Sequence, residues 1–400
     1  MFFNIGRLPV TGIVATALFL ATSAHAQHHT PLTMAEAEDL ALENEPGQVA
    51  LMARAEALNE RSVAAGQLPQ PQLRVGINNY PIESGGFSTE GMTHALVGMR
   101  QMIPAGDSRA IGTRRYRALA DEMNEAANAR DRDVLSAVRQ AWLEAYYWQQ
   151  AQRLVLEKRP FFNDLAEITR SLYAVGRRNQ QDVLRAELEL SRLDDRLIET
   201  SRQEQQARAA LGQWIGAAAL RPIAVKLPDW APLPPRQDLV QGLNSHPILR
   251  AADAQVAAQA ASVDLASEQS KPGWAVDLGY SYREGTLPGG DPRSDFISLS
   301  VTVDLPFLGK KNRQDRELAA ALNERRAAMS AKESLARQLS SRFAAEYSRW
   351  LEVDHRLSIY ENRILPQTAE QAQAAIAIED RPFLGHTGTI PVLVREVKQN

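Results

Sequence analysis

Residues Trp274 to Leu305 read WAVDLGYSYREGTLPGGDPRSDFISLSVTVDL, and their alternation decides the fold. Side chains along a strand alternate with period two, which sets Trp274, Val276, Leu278, Tyr280 and Tyr282 on one face and Ala275, Asp277, Gly279 and Ser281 on the other. After a turn rich in glycine and proline the pattern returns, with Ile297, Leu299, Val301, Val303 and Leu305 against Phe296, Ser298, Ser300, Thr302 and Asp304. Each run has about the 9 to 11 residues that a tilted barrel strand needs to cross a bilayer. Trp274, Tyr280 and Tyr282 suit an interfacial girdle. From the strands alone, a water-soluble antiparallel sheet with one buried face reads equally well.

A weaker version of the same pair occurs at Leu73 to Pro81 and His94 to Ile103, where Gly76, Gly98 and Arg100 interrupt the apolar run. The two pairs belong to a duplication. Pro46 and Pro247, and Pro71 and Pro272, are 201 residues apart; Pro104 and Pro306, and Trp148 and Trp350, are 202 apart. That period is too long for a solenoid repeat and gives one unit written twice, each copy reading helix, strand, loop, strand, long helix. Four strands cannot close a membrane barrel, and an open edge in lipid leaves backbone groups unpaired at several kcal/mol each, so further copies must complete it.

The helical segments point the same way. Between Asp107 and Val175 the only glycine is Gly112 and the only proline Pro160, which predicts a hairpin arm of about 100 Å at ~1.5 Å per residue. The returning helix carries Val183, Ala186, Leu190, Leu193, Leu197, Thr200, Glu204, Ala207, Leu211 and Trp214, spaced by threes and fours like a coiled-coil seam. Tyr173-Ala-Val-Gly176-Arg-Arg178 reads as the turn between the arms. In the second copy an outgoing helix is expected from about Arg313 to Pro366. Thr33-Met-Ala-Glu36 has the pattern of a capping box.

Residues 1–26 read as a secretory signal, with Arg7, an apolar core from Val10 to Ala21 too short to span a bilayer, and Ala24-His25-Ala26 as the cleavage site. The expected organisation is then a first repeat over 27–226, with strands 73–81 and 94–103 and a helical hairpin over 107–215. A proline-rich linker over 227–237 follows. A second repeat over 238–400 has strands 274–283 and 296–305, a hairpin from 310 and a final helix that is shortened. With no cysteine, disulfides and thiolate metal sites are excluded. A net charge of −3 gives no footprint for nucleic acid. No nucleophile elbow, phosphate loop or HExxH is present. His28-His29, and His94 near Met92, Met99 and Met102, lack the convergence of ligands that a metal site requires, so no metal and no cofactor is expected.

With these residues in place, the chain resembles the TolC-like outer-membrane factors of Gram-negative tripartite efflux pumps. The resemblance rests on the order of elements, on Asn44-Glu-Pro46 and Ser245-His-Pro247 at helix ends, on Gln70-Pro-Gln-Leu73 entering a strand, and on Tyr173 followed by Gly176. It covers residues 33 to about 370. The stretch from Met92-Thr-His94 through Met102-Ile-Pro104-Ala-Gly-Asp107 is similar to the heavy-metal branch. The implied fold is mostly α with membrane β: long helical hairpins form a periplasmic coiled-coil tunnel, and four strands per chain contribute to a trimeric twelve-stranded outer-membrane barrel.

Also implied is a passive, non-enzymatic exit duct in the bacterial outer membrane, its helical part in the periplasm. Its partners would be two further copies, outer-membrane lipid, a periplasmic adaptor (membrane fusion) protein and an inner-membrane RND-type pump. Heavy-metal cations are the implied cargo, with drug efflux or type I protein secretion as alternatives; a soluble periplasmic coiled-coil scaffold is the alternative from another class.

The adaptor-docking tip maps onto Leu172, Tyr173, Gly176 and Arg177, beside the plain reading of a helix–helix turn. The lipid-facing set is Trp274, Val276, Leu278, Tyr280, Ile297, Leu299, Val301 and Val303; Asp277, Ser281, Ser298, Ser300 and Thr302 face the lumen. Glu379 and Asp380 near the second tip are either an acidic ring at the periplasmic gate or solvated turn residues. After the Pro382-Phe-Leu384 counterpart of Asp182-Val-Leu184, the residues Gly385, Gly388 and Pro391 oppose the last helix.

Overall fold

A computed structural model describes residues 30–43, 45–306 and 313–379. The expected signal segment, His28-His29, Asp380 and the tail beyond it lie outside the described residues. The elements run α1 (Met34–Leu42), α2 (Pro46–Gly66), β1 (Gln72–Asn78), β2 (His94–Ile103), α3 (Ser108–Ala174), α4 (Gln180–Ile215), α5 (Arg236–Leu243), α6 (Pro247–Glu268), β3 (Trp274–Tyr282), β4 (Phe296–Val303), α7 (Arg313–Ile359) and α8 (Leu365–Glu379). They fall into two compact units: the described parts of Met1–Ala41 with Ser136–Asp229, and Leu42–Leu135 with the described parts of Trp230–Asn400.

The first unit is helical. Its core holds Leu32, Val138, Trp142, Leu211 and Ile223, all essentially removed from solvent. Leu32 bridges Ile223 in parallel, and its carbonyl accepts both the Ala224 N–H at 3.0 Å and the Trp142 indole N–H at 3.1 Å. Trp142 can therefore be wholly buried without leaving a donor unpaired. Gln149 pins the same strap, its amide nitrogen donating to the Ile223 carbonyl at 3.0 Å while its oxygen accepts from the Ile223 N–H at 3.0 Å and from Arg208 at 2.9 Å. At the start of α1, the Glu36 N–H donates to Thr33 Oγ1 at 3.2 Å, which is half of a capping box. The Glu36 carboxylate binds Arg221 instead of reaching back, with Nη1 to Oε1 at 2.6 Å. Along α4 the seam from Val183 to Trp214 is half-buried or buried throughout, with Ala186, Thr200, Ala207 and Leu211 innermost.

The second unit combines the sheet with helices from both copies. Proline opens α2 and α6 at the first helical position, where its missing N–H removes no helical bond. The preceding residue caps in each copy: Glu45 Oε2 accepts the Gln48 N–H at 2.6 Å, and His246 Nδ1 accepts the Ile248 N–H at 3.3 Å. Glu45 is buried and also accepts from Arg130 at 2.8 Å. That guanidinium hydrogen bond, helped by the Gln48 and Gly47 N–H groups and opposed by burial, holds the Glu45 carboxyl below the usual carboxylate range. Gly112 lets α3 approach α2, since a Cβ there meets Ala65 Cβ at 3.3 Å.

All four strands pair antiparallel in the order β1-β2-β3-β4. The central β2–β3 pair joins the two copies, with Gly98 opposite Gly279 and Arg100 opposite Asp277.

Four boundaries differ from expectation. β1 ends at Asn78 rather than Pro81, because Asn79 adopts φ 53° and turns the chain, its carbonyl accepting from Thr93 Oγ1 at 2.8 Å. β4 stops at Val303 and β3 at Tyr282. The helix expected to end at Pro366 continues to Glu379, because a π turn over Tyr360–Ile364 restarts it and leaves Pro366 in the first turn of α8.

Candidate channel wall and hairpin tip

The register sorts the sheet into two faces. On one, the row Val75, Val97, Tyr280, Ile297 runs across all four strands, followed by Leu73, Met99, Leu278, Leu299. Trp274, Val276, Val301 and Val303 extend it over β3 and β4, together with Ile103 and Gln101. This face is apolar yet exposed, Leu73 at 70%, Ile297 at 78% and Leu299 at 70%. Trp274 and Tyr282 lie at opposite ends of β3, about 27 Å apart at ~3.4 Å per residue. That spacing suits an apolar band about 25 Å tall with an aromatic girdle on each rim.

The other face carries Asp277, Ser281, Ser298, Ser300 and Thr302, joined by Gln72, Arg74, Asn78, His94 and Arg100. Gly76, Gly98 and Arg100, expected to interrupt strands, all share the parity of this polar face, so none of the three breaks the apolar face. Arg74 Nη1 donates to Asp277 Oδ1 at 3.0 Å, reaching from β1 over β2 to β3. Its path lies above Gly98, where an added Cβ meets the Leu278 carbonyl oxygen at 2.9 Å and Gly279 Cα at 3.2 Å. From the other side, Arg100 Nε stands 3.8 Å from Asp277 Oδ2, outside hydrogen-bond reach. Arg74 and Arg100 were missed as site residues; their parity with Asp277 and the serines is the signal that finds them.

Beyond the strands, Arg283 lies over the Phe296 ring at 3.9 Å. Arg293 donates to the carbonyls of Ser88, Glu90 and Glu284 at 3.1 to 3.3 Å, tying the β1–β2 loop to the β3–β4 loop. Met92 is in the first of these loops, while Met99 and Met102 fall on opposite faces of β2, so the three do not converge. Among the described residues no group of three histidines, aspartates or glutamates is placed to hold a metal ion.

In the first unit the hairpin tip follows from its sequence. Gly176 takes φ 76°, the Arg177 N–H donates to the Leu172 carbonyl at 2.9 Å and the Gly176 N–H to Tyr173 at 2.9 Å. This pair of bonds is a Schellman motif, for which glycine carries no Cβ penalty. Two residues on, Asn179 Oδ1 accepts the Asp182 N–H at 2.9 Å and starts α4. Tyr173 and Val175 are exposed at the turn, whereas Leu172 is half-buried. Below it the arms are clamped by Arg170 on Glu187 and by Arg159 on Asp194, each at 2.7 Å. The Arg159 hydrogen bond holds the Asp194 carboxyl below its usual range. Glu379 is the last residue of α8.

No family model matches the chain. Among curated proteins, Protein CyaE of Bordetella pertussis is 29% identical over 295 residues, covering 68% of this chain and 60% of its own length. Among solved structures, a membrane protein from Pseudomonas aeruginosa aligns with a TM-score of 0.72 at 18% identity, over 91% of this chain and 86% of that one. The outer membrane protein VceC of Vibrio cholerae gives 0.70 at 16% identity, over 92% and 89%. CusC, described in terms of folding and transmembrane channel formation, gives 0.68 at 14% identity, over 86% and 82%. The chain has the fold of these three solved membrane proteins.

Proposed function

We propose that the chain is one subunit of an outer-membrane efflux channel, a passive duct without enzymatic activity. The observation that carries this reading is the apolar face of the sheet, exposed across all four strands with Gln101 as its one polar member, while the opposite face is mainly polar. Water does not favour an exposed apolar surface of this extent, whereas lipid does. Among the described residues, the outer edges of β1 and β4 have no partner strand. Pairing β1 of one copy with β4 of the next satisfies both, and three copies close a twelve-stranded barrel.

The helical hairpin of the first unit then lies in the periplasm, where its tip residues Leu172, Tyr173, Gly176 and Arg177 meet an adaptor protein. An inner-membrane RND-type pump drives transport, and the duct requires no cofactor. The metal-cation cargo implied by the Met92–Asp107 resemblance is recognised upstream, by adaptor and pump.

The chain has no cysteine, so crosslinking between copies can be read without background. Val75→Cys on β1 is combined in turn with Ile297→Cys, Leu299→Cys and Val301→Cys on β4. Adjacent strands bring same-face Cβ atoms within disulfide reach in a defined register. Outer-membrane fractions should yield a crosslinked trimer for one register and little for the others. Monomers in the soluble periplasmic fraction for every pair would refute the reading in favour of a soluble scaffold.

A further inference from the structure

Charge on the polar face of the sheet is concentrated at one point and unbalanced. Arg74, Arg100 and Asp277 are the only arginine, lysine, aspartate or glutamate residues in the four strands, and all three meet on the same face. The duplication does not account for them. At the 201- and 202-residue offsets Arg74 corresponds to Ala275, Arg100 to Thr302 and Asp277 to Gly76, so each charge is present in one copy only. Yet the register brings them together, Arg100 directly opposite Asp277 and Arg74 arriving over Gly98.

One carboxylate serves two guanidiniums. Asp277 is mostly covered, its side chain 13% exposed, while Arg74 remains 55% and Arg100 33% exposed. Arg74 spends one N–H on Asp277, and Arg100 has only the 3.8 Å approach of Nε, which makes no hydrogen bond. The half-buried acid therefore orients Arg74 through a hydrogen bond and attracts Arg100 by charge alone, and the remaining guanidinium N–H groups are available on the open side. Guanidinium binds oxyanions in a planar fork and is more weakly hydrated than ammonium.

We infer that Arg74 and Arg100, positioned by Asp277, form an anion-selective ring on the inner wall of the channel. The inference rests on the proposed trimeric barrel, in which the excess of +1 per chain becomes +3 around the lumen. The nearest other acid continuing this face is Asp304, four residues further along the sheet, opposite Gly273. That separation is about 14 Å at ~3.4 Å per residue, more than the Debye length of about 10 Å at 0.1 M salt. Free aquo-cations are thus disfavoured at the ring, while anions and anionic complexes are favoured.

The test uses full-length protein purified from outer membranes and placed in planar lipid bilayers, with reversal potentials measured across a KCl gradient. Wild type should pass chloride in preference to potassium. Arg74→Gln and Arg100→Gln should each move the permeability ratio toward potassium by about two- to fivefold near 0.1 M salt, where the Debye length is ~10 Å and Asp304 is screened from the ring. The shift should shrink at 1 M, where that length is ~3 Å. Arg100→Lys keeps the charge and should retain the wild-type ratio; Asp277→Asn should move it toward chloride. Channels that open normally with ratios unmoved by the glutamine variants overturn the ring and leave the channel reading intact. A cation-preferring wild type also overturns it. Failure of the wild type to form channels overturns both readings.

Discussion

Leu299→Arg places a charge at the fourth of the eight residues of β4, on the face shared with Leu278, Met99 and Leu73. At ~3.4 Å per residue the site lies about 10 Å from one end of the strand and 14 Å from the other, which in the proposed barrel is close to mid-depth of a bilayer core about 30 Å thick. Arginine on the lipid face at that depth costs about 2 to 4 kcal/mol per chain. At about 1.4 kcal/mol per decade this is a ~30- to 700-fold loss in the folding equilibrium. The neighbouring Ser300→Arg faces the polar side and should cost little, and in water Leu299, 70% exposed, would accept arginine within about 0.5 kcal/mol. The assay is the urea midpoint of heat-modifiable trimers in lipid, with both variants measured beside wild type. Equal midpoints for Leu299→Arg and Ser300→Arg would refute the assignment of faces.

Other perturbations test individual joints. Gly98→Ala drives a Cβ to 2.9 Å from the Leu278 carbonyl oxygen, which cannot rotate away, and should cost about 1 to 3 kcal/mol; Gly76→Ala meets nothing within 4 Å and should leave the melting profile nearly unchanged. Glu45→Gln should lose about 1.5 to 3 kcal/mol at neutral pH, the value of a charge-assisted hydrogen bond. Because the Glu45 pKa is depressed, that contribution is complete above the unfolded value of about 4.3 and disappears as pH falls through the lower folded value. The wild-type advantage in denaturant should therefore stay level from pH 8 to 5 and narrow as pH falls below the unfolded value; an advantage that does not change with pH there would rule out the carboxylate as its source. Gly176→Ala puts a Cβ on a residue at φ 76° with open space around it, so only backbone strain of about 1 to 2 kcal/mol is added. Hydrogen exchange at the Gly176 and Arg177 amides should accelerate while α3 and α4 further from the tip stay protected.

The strands and the long helices could be read from single letters because each is a local pattern. Period two over Trp274–Tyr282 and Phe296–Val303, and the scarcity of glycine and proline from Asp107 to Val175, do not depend on what lies across from them. Gly176 likewise announces a turn through its own φ. The first strand pair was only partly legible. Gly76, Gly98 and Arg100 look like breaks when hydrophobicity is counted along one strand, and they become members of a polar face when β2 is set in register with β1 and β3.

Pro366 was misread for a related reason. A proline stops a helix only if the preceding turn needs its N–H, and the π turn over Tyr360–Ile364 places it where that N–H is dispensable. The sequence by itself determined the duplication, the helical arms and the amphipathic strands, all consequences of chain-local periodicity. Only tertiary structure decided which charges meet. Arg74 and Asp277 stand 203 residues apart in the chain, and their contact depends on the pairing register that sets Arg74 opposite Gly98 and Gly98 opposite Gly279.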